Sequence, residues 1–190
     1  EIFWSMRMND RHDTSPKNVH LLCQWKRDNP DLLMGKLGDR FPFGGGSWSA
    51  LRYGRVEVRE KMFRIIEDVC VRYDVDGIEL DFFRPPVYFI EAMTGDPVPR
   101  EKRAAMTALW RRVRALTDRI GRERGRPLLI AVRIPDSVAY CRAMGLDVDQ
   151  WLAEGLIDMV VGGGYFKLEP WENLVSLGKK YGVPVYAAFV

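Results

Sequence analysis

The chain has few of the residues that build metal, redox or nucleotide sites. Its 190 residues include three cysteines and two histidines. The cysteines are far apart and form no CxxC pair, so a zinc or redox site of that type is not expected. We predict that Cys23, Cys70 and Cys141 are buried thiols. The glycine clusters at 44–46 and 162–164 match neither GxGxxG nor the Walker pattern, which argues against a phosphate-binding turn of either kind.

The sequence also lacks a large excess of charge of one sign and has no long apolar run. The net charge is +3, from 29 basic and 26 acidic residues. This balance lacks the basic stripe of a dedicated nucleic-acid binder, so no nucleic-acid partner is expected. No apolar run approaches the ~20 residues that a membrane span requires, so none is predicted. Because 47% of the residues are hydrophobic, the chain can bury the core of one domain.

The sequence does have short apolar runs that alternate with helical repeats. Runs rich in β-branched or aromatic residues predict five strands, at 2–8, 77–83, 128–134, 159–161 and 183–189. Between them apolar residues recur every three or four positions, as in 62–73 and 106–120, which is typical of amphipathic helices. Strands that alternate with helices in this way form a parallel sheet.

Two topologies fit this alternation, a (β/α)8 barrel and an open doubly wound sheet. The chain begins and ends within predicted strands, so we expect it to be cut from a longer protein. We therefore predict an α/β fold, a partial (β/α)8 TIM barrel truncated at both ends. Residues 1–190 would be one barrel fragment, with a long strand-to-helix loop at about 9–55. A connection of this length is more often a functional lid than a plain linker.

The most distinctive segment is the acidic strand end at 77–81. In a parallel barrel the carboxyl ends of the strands, with the loops that follow them, form the active site. Alternation along the strand places Glu79 and Asp81 on one face. Ile78 and Leu80 take the other face and suit packing under helices, so the carboxylates should face the barrel axis. Asp81, nearer the mouth, is the predicted catalytic residue, and Glu79 is predicted to support it.

The other strand ends are also rich in ionisable groups. The two carboxylates of 77–81 have an alternative role, which is to form structural salt bridges with Arg7, Arg84 or Arg133. His12, beside Asp10 in a polar loop, suits proton transfer, substrate hydrogen bonding or a metal, although a surface histidine is the plain alternative.

Aromatic residues in the long loop suggest a ligand. Trp25 and Trp48 lie there together with Phe41, Phe43 and Tyr53. Flat aromatic faces match the C–H faces of a pyranose ring, but packing within the loop is an equal alternative.

Four segments carry a resemblance to a known family: 3–10, 29–35, 73–84 and 145–147. Within the third, the pattern Asp-Gly-Ile-x-x-Asp-x-x-Arg is matched by Asp76, Gly77, Ile78, Asp81 and Arg84. Over nearly its whole length the chain resembles bacterial glycoside hydrolases described as family-ten-like. The resemblance implies a TIM barrel, a carbohydrate substrate, secretion or a periplasmic location, and a catalytic carboxylate at Asp81. No cofactor is expected.

Glycoside hydrolysis usually needs two carboxyl groups, ~5 to 5.5 Å apart for retention or ~6.5 to 9.5 Å apart for inversion, with one of them protonated. Asp81 is predicted as nucleophile or base. Asp136 is predicted as its partner because its strand should neighbour that of Asp81, and Glu169 and Asp10 are the alternatives. The residues predicted to bind substrate are Arg7, Asn9, Asp10, His12, Trp48, Arg84, Arg133 and Tyr165.

Two other functions remain open. One is a carbohydrate-binding barrel without turnover. The other is a metal-dependent hydrolase that uses Asp10, His12 and Asp81. No HxH motif, which barrel metallohydrolases usually need for tight divalent binding, is present at a strand end, so no metal site is predicted.

Overall fold

A computed structural model describes residues 1–163 and 167–188. All five predicted strands are present and parallel: β1 Phe3–Arg7, β2 Gly77–Asp81, β3 Leu129–Pro135, β4 Met159–Gly163 and β5 Val185–Ala188. They lie in the consecutive order β1 to β5, and the order does not reverse within the described residues. The predicted α/β class with a parallel sheet is therefore confirmed.

Helices alternate with the strands: α1 Gln24–Asp28, α2 Val56–Arg72, α3 Ile90–Thr94, α4 Arg100–Arg124, α5 Val138–Ala143, α6 Val148–Ala153 and α7 Trp171–Tyr181. The predicted apolar repeats form the buried faces of α2 and α4. Gly125 and Gly182 end α4 and α7 with a φ of 69°, a left-handed conformation that favours glycine. Gly121, by contrast, lies inside α4 and does not end it. None of the described helices is long and apolar enough to cross a membrane.

The two faces of the sheet differ in chemistry. Ile78 and Leu80 of β2 are fully buried in the hydrophobic core, as the predicted alternation requires. The opposite face, here called the polar face, carries Glu79 and Asp81 on β2, Ser5 and Arg7 on β1, and Arg133 on β3. On this face Arg7, Asp81 and Arg133 lie side by side in register. The polar face therefore runs across the carboxyl ends of three neighbouring strands.

Buried polar contacts fold the connection between β1 and α2. The buried Lys26 ammonium donates to Asp13 Oδ2 at 2.8 Å and to the main-chain oxygen of Asp10 at 3.0 Å. The Tyr53 hydroxyl donates to the main-chain oxygen of Met8. The connection is thus tied to the carboxyl end of β1.

The cysteines divide into two groups. Cys70 and Cys141 are buried, as predicted, and burial raises the pKa of the Cys70 thiol to about 11. Cys23 is exposed, so the prediction was wrong there. The reason is local, because Cys23 lies at the start of the short helix α1 rather than on the buried face of a long helix.

Candidate active site

A cleft of about 720 Å³ lies beyond the carboxyl ends of β1, β2 and β3. Its walls are residues 11–12, 43–45 and 83–87, with Pro135, Tyr140 and Leu168. Among the residues predicted to bind substrate, the cleft brings together His12 and Arg84. Tyr165 lies outside the described residues.

Asp81 ends β2, immediately before the wall segment 83–87. It is 3% exposed, and its Oδ1 accepts hydrogen bonds from the main-chain N–H of Phe83 at 2.9 Å and of Arg84 at 3.2 Å. Its Oδ2 makes no hydrogen bond to any residue of 1–163 or 167–188. One oxygen is therefore held by the backbone, and the other has no protein partner within those ranges.

The predicted structural alternative for the two acidic residues of β2 is not observed. Among the described residues, neither Glu79 nor Asp81 forms a salt bridge. Glu79 lies two positions deeper on the polar face and accepts a hydrogen bond from the Ser5 hydroxyl at 2.6 Å. Both carboxylates thus accept hydrogen bonds from neutral donors.

Arg133 lies beside Asp81 in the sheet register. Its guanidinium carbon is 5.7 Å from the centre of the Phe83 ring, within the range of a cation–π contact. Its buried Nε has no hydrogen-bond partner among the residues that the structure describes. Arg133 therefore helps to place Phe83, a residue of the cleft wall.

Arg7, Asp10 and His12 form an exposed cluster at the carboxyl end of β1. Arg7 Nη1 is 3.5 Å from Asp10 Oδ1 and 3.2 Å from His12 Nδ1, and His12 Nδ1 also contacts Asp10 Oδ1. Partial burial raises the pKa of Asp10, but its hydrogen bond with His12 and the charges of His12, Lys26 and Arg7 bring that pKa below its ordinary value. Asp10 is therefore ionised at neutral pH and is a poor proton donor.

Asp136 follows β3 and is buried. The main-chain N–H of Leu168, a residue of the cleft wall, lies 3.2 Å from Oδ2 and 3.4 Å from Oδ1 of Asp136. This contact places the Asp136 carboxylate next to the cleft, although the side chain does not line it.

Glu169 is held by two polar side chains. It accepts hydrogen bonds from the Ser137 hydroxyl and from Asn173 Nδ2, the latter at 3.1 Å. These hydrogen bonds lower the pKa of Glu169 below its ordinary value. A general acid must be protonated at its working pH, so the alternatives Glu169 and Asp10 are poorly suited to that role.

Of the seven described residues predicted to bind substrate, His12 and Arg84 line the cleft and five do not, among them Asn9 and Trp48. Asn9 is 2% exposed; its Nδ2 donates to the main-chain oxygens of Leu51 at 3.0 Å and Val87 at 2.6 Å, and its Oδ1 accepts from Leu51 N–H at 2.9 Å. Trp48 is 5% exposed and donates from Nε1 to the main-chain oxygen of Thr14 at 2.8 Å. Both side chains hold the protein together, because their polar groups are already bonded to backbone.

The cleft also contains residues that were not predicted to bind substrate. Arg11 precedes His12, and this position was the only signal for it in the sequence. Phe43 is 75% exposed and is one of the aromatic residues noted in the long loop. Tyr140, in α5, is 39% exposed and had no sequence signal, because it reaches the cleft only through the placement of α5 after β3.

Within residues 1–163 and 167–188, no group of three or more histidine, cysteine, aspartate or glutamate side chains could hold a metal ion. Asp10 and His12 are in contact, but Asp81 does not complete a set of three with them. The described residues therefore supply no ligand set for the metal-dependent alternative.

Comparisons with known proteins bear on the fold. No protein-family model and no curated protein matches the chain. Among solved structures, the chain is similar to a cycloisomaltooligosaccharide glucanotransferase from Paenibacillus sp., with a TM-score of 0.54, 14% identity, and coverage of 97% of this chain and 26% of that one.

Two further solved structures are similar. One is a glycoside hydrolase family 18 N-acetylglucosaminidase from Paenibacillus barengoltzii, with a TM-score of 0.48, 20% identity, and coverage of 90% of this chain and 54% of that one. The other is the chitinase ChiA74 from Bacillus thuringiensis, with a TM-score of 0.47, 16% identity, and coverage of 71% and 25%.

The chain spans between about a quarter and about half of the length of these three proteins. At such low identity, the likeness to the glucanotransferase shows the fold alone. None of the three supports the family-ten-like resemblance. The comparisons therefore show that the chain shares its fold with part of the glucanotransferase.

Proposed function

We propose that the chain is part of a (β/α)8 barrel that cleaves glycosidic bonds with carboxylate groups. The consecutive order of five parallel strands supports a barrel over a doubly wound sheet, in which the strand order reverses. Residues 1–190 would form one unit of this barrel, and the connection at about 9–55 would build one wall of the substrate cleft.

The observation that carries the proposal is the state of the Asp81 carboxylate beside the cleft. Two main-chain N–H groups fix Oδ1, whereas Oδ2 has no partner among the described residues. A carboxylate that is fixed in this way need not reorient when substrate binds. Such preorganisation lowers the free-energy barrier of the reaction.

The roles follow from the chemistry of glycoside hydrolysis. Asp81 acts as nucleophile, or as the base that removes a proton from water, and Asp136 protonates the leaving glycosidic oxygen. Glu79 and Arg133 support Asp81 from the polar face. His12 and Arg84 contact the sugar in the cleft, and Arg7 and Asp10 hold His12.

Hydrolysis assays of the full-length protein that contains this chain test the proposal. Wild type and Asp81→Asn are compared on a panel of oligosaccharides and aryl glycosides, each with and without chelator. Asparagine keeps an oxygen for the two N–H donors, so the fold should survive, while hydrolysis should fall at least ~100-fold.

The matched control is Asp118→Asn, which makes the same chemical change at an exposed position on α4. It should leave hydrolysis unchanged. An Asp81→Asn variant that hydrolyses as fast as the control would exclude Asp81 from catalysis.

A second candidate is a barrel that binds carbohydrate without turnover. It is favoured by one observation, which is that the described residues that line the cleft include no carboxylate. In that case no substrate of the panel releases product, and sugar affinity survives Asp81→Asn.

A further inference from the structure

The lining of the cleft has an unusual charge. Arg11 and Arg84 line it from two separate segments, and His12 lies beside Arg11. No aspartate or glutamate is among the described lining residues. Clefts lined by one sign of charge concentrate ligands of the opposite sign.

Arg11 has no acidic partner among the residues that the structure describes. Its Nη1 donates to the Ser47 hydroxyl at 2.9 Å, and that hydroxyl in turn donates to the main-chain oxygen of Gly44 at 2.6 Å. A neutral hydroxyl places the guanidinium but does not neutralise it. The positive charge of Arg11 is therefore available to a ligand.

The nearby carboxylates are already engaged by other cations. Asp10 lies within salt-bridge distance of Arg7 and contacts His12, and the buried Asp13 is paired with the buried Lys26 at 2.8 Å. Neither Asp10 nor Asp13 forms an ion pair with Arg11. The segment that follows β1 thus leaves a surplus positive charge at the cleft.

Aromatic rings accompany this charge. Phe43 is 75% exposed and Tyr140 is 39% exposed, and both line the cleft. Exposed rings at a binding site can pack on the C–H faces of a sugar. The cleft thus offers a flat apolar surface together with guanidinium groups.

We propose that this cleft selects an acidic saccharide, whose ring packs on Phe43 or Tyr140 while its anionic group pairs with Arg11 and Arg84. This inference rests on the proposed carbohydrate function and names the substrate class of the same site. A guanidinium can bind a carboxylate or a sulfate through two parallel hydrogen bonds, so the shared chemistry is an anionic substituent on a sugar ring.

Calorimetric titration tests the inference with matched acidic and neutral ligands. The probes are oligogalacturonate and oligomannuronate, each against its methyl ester, and a sulfated carrageenan oligosaccharide against its desulfated form. The full-length protein carries Asp81→Asn, so that turnover does not obscure binding. At least one acidic probe should bind about tenfold more tightly than its neutral form, and added salt should weaken that binding.

Arg11→Gln should remove most of this preference, with a loss of about tenfold in affinity for the acidic probe. Arg40→Gln is the control, because it removes the same charge from an exposed site in the same connection, outside the cleft. The proposal is overturned if every acidic probe binds no better than its neutral form, or if Arg11→Gln and Arg40→Gln behave alike.

The outcomes separate this inference from the proposed function. If wild-type protein hydrolyses neutral sugars but no acidic probe is preferred, the acidic specificity fails and the glycosidase survives. If acidic probes bind in the expected way and no sugar is hydrolysed, the specificity survives and the protein is a binding barrel.

Discussion

Charged residues are held differently at the two ends of the parallel strands. The side of the sheet where the strands begin is here called the amino edge, and the side where they end is called the carboxyl edge. At the amino edge, acidic residues that precede the strands pair directly with arginines. Arg114 Nη2 is 2.7 Å from Asp158 Oδ2, before β4, and Arg126 binds Asp76, before β2. Each of these charges is neutralised by another side chain.

At the carboxyl edge, several charged groups that face the proposed site are held by neutral partners instead. Asp81 is held by main-chain N–H groups, and Arg11 is held by the Ser47 hydroxyl. Arg133 lies over the Phe83 ring. The difference teaches that these charges at the amino edge stabilise the fold through ion pairs, whereas Asp81 and Arg11 at the carboxyl edge are placed by neutral partners, as the proposed site requires.

Lys26 provides the largest expected effect on stability, because its pair with Asp13 is the buried exception at the carboxyl edge. Lys26→Met removes the cation and leaves a buried carboxylate without a charged partner, so the free energy of unfolding should fall by about 3–5 kcal/mol. Chemical denaturation measures this change.

Lys36→Met is the control for Lys26→Met, since Lys36 is an exposed lysine in the same connection. It should change the free energy of unfolding by less than about 0.5 kcal/mol. Adding Asp13→Asn to Lys26→Met should recover part of the loss. Equal stability of the two lysine variants would show that this ion pair does not hold the connection.

A smaller effect is expected at the amino edge, where Arg114 has two acidic partners. Asp158 is partly buried and also accepts a hydrogen bond from Ile130 N–H at 2.7 Å, whereas Asp118 is half exposed and 3.5 Å from Arg114. Asp158→Asn should lower the free energy of unfolding by about 1 kcal/mol. Asp118→Asn should lower it by at most about 0.5 kcal/mol.

Thermal and chemical unfolding of the two variants compare these contributions. The hydrolysis rate per folded molecule should be unchanged in both, because neither residue lies at the carboxyl edge. A large loss of activity in Asp158→Asn without loss of stability would break the distinction between the two edges.

The smallest effect concerns acid pH. The main-chain N–H of Ile2 and the guanidinium of Arg126 lower the pKa of Asp76 below its ordinary value of 3.8. A carboxylate with a lowered folded-state pKa stabilises the fold above the ordinary value, and that contribution is lost as the pH falls through the lowered pKa.

Asp76→Asn should therefore reduce stability at neutral pH and flatten the loss of stability below pH 3.8. Melting temperatures measured from acid to neutral pH test this, with Asp118→Asn as the exposed control. Curves for Asp76→Asn that run parallel to those of wild type would contradict the assigned role of Asp76.

The fold was largely predictable because its signals are local. Five apolar runs and two long amphipathic repeats gave the order of strands and helices, and the two-residue period placed Glu79 and Asp81 opposite Ile78 and Leu80. Strand ends differed by one or two residues in most cases, since hydrogen bonding between strands, rather than composition, sets where pairing stops.

The site was less predictable because its contacts join residues far apart in the sequence. Asn9 bonds to Leu51 and Val87, 42 and 78 positions away. An asparagine amide can form hydrogen bonds with the backbone or with sugar hydroxyls. The residue type alone therefore could not predict which of the two Asn9 would bind. The contacts of Trp48 could not be predicted either, because its burial depends on the fold of the whole connection.

Asn9 has a consequence for protein engineering. Through one amide it fastens the end of β1 to both the incoming connection at Leu51 and the cleft wall at Val87. Loop grafts that exchange the connection between β1 and α2 must preserve this three-way junction. A graft that omits Asn9 would change the width of the cleft even when every wall residue is retained, because the bond from Asn9 to Val87 would be lost.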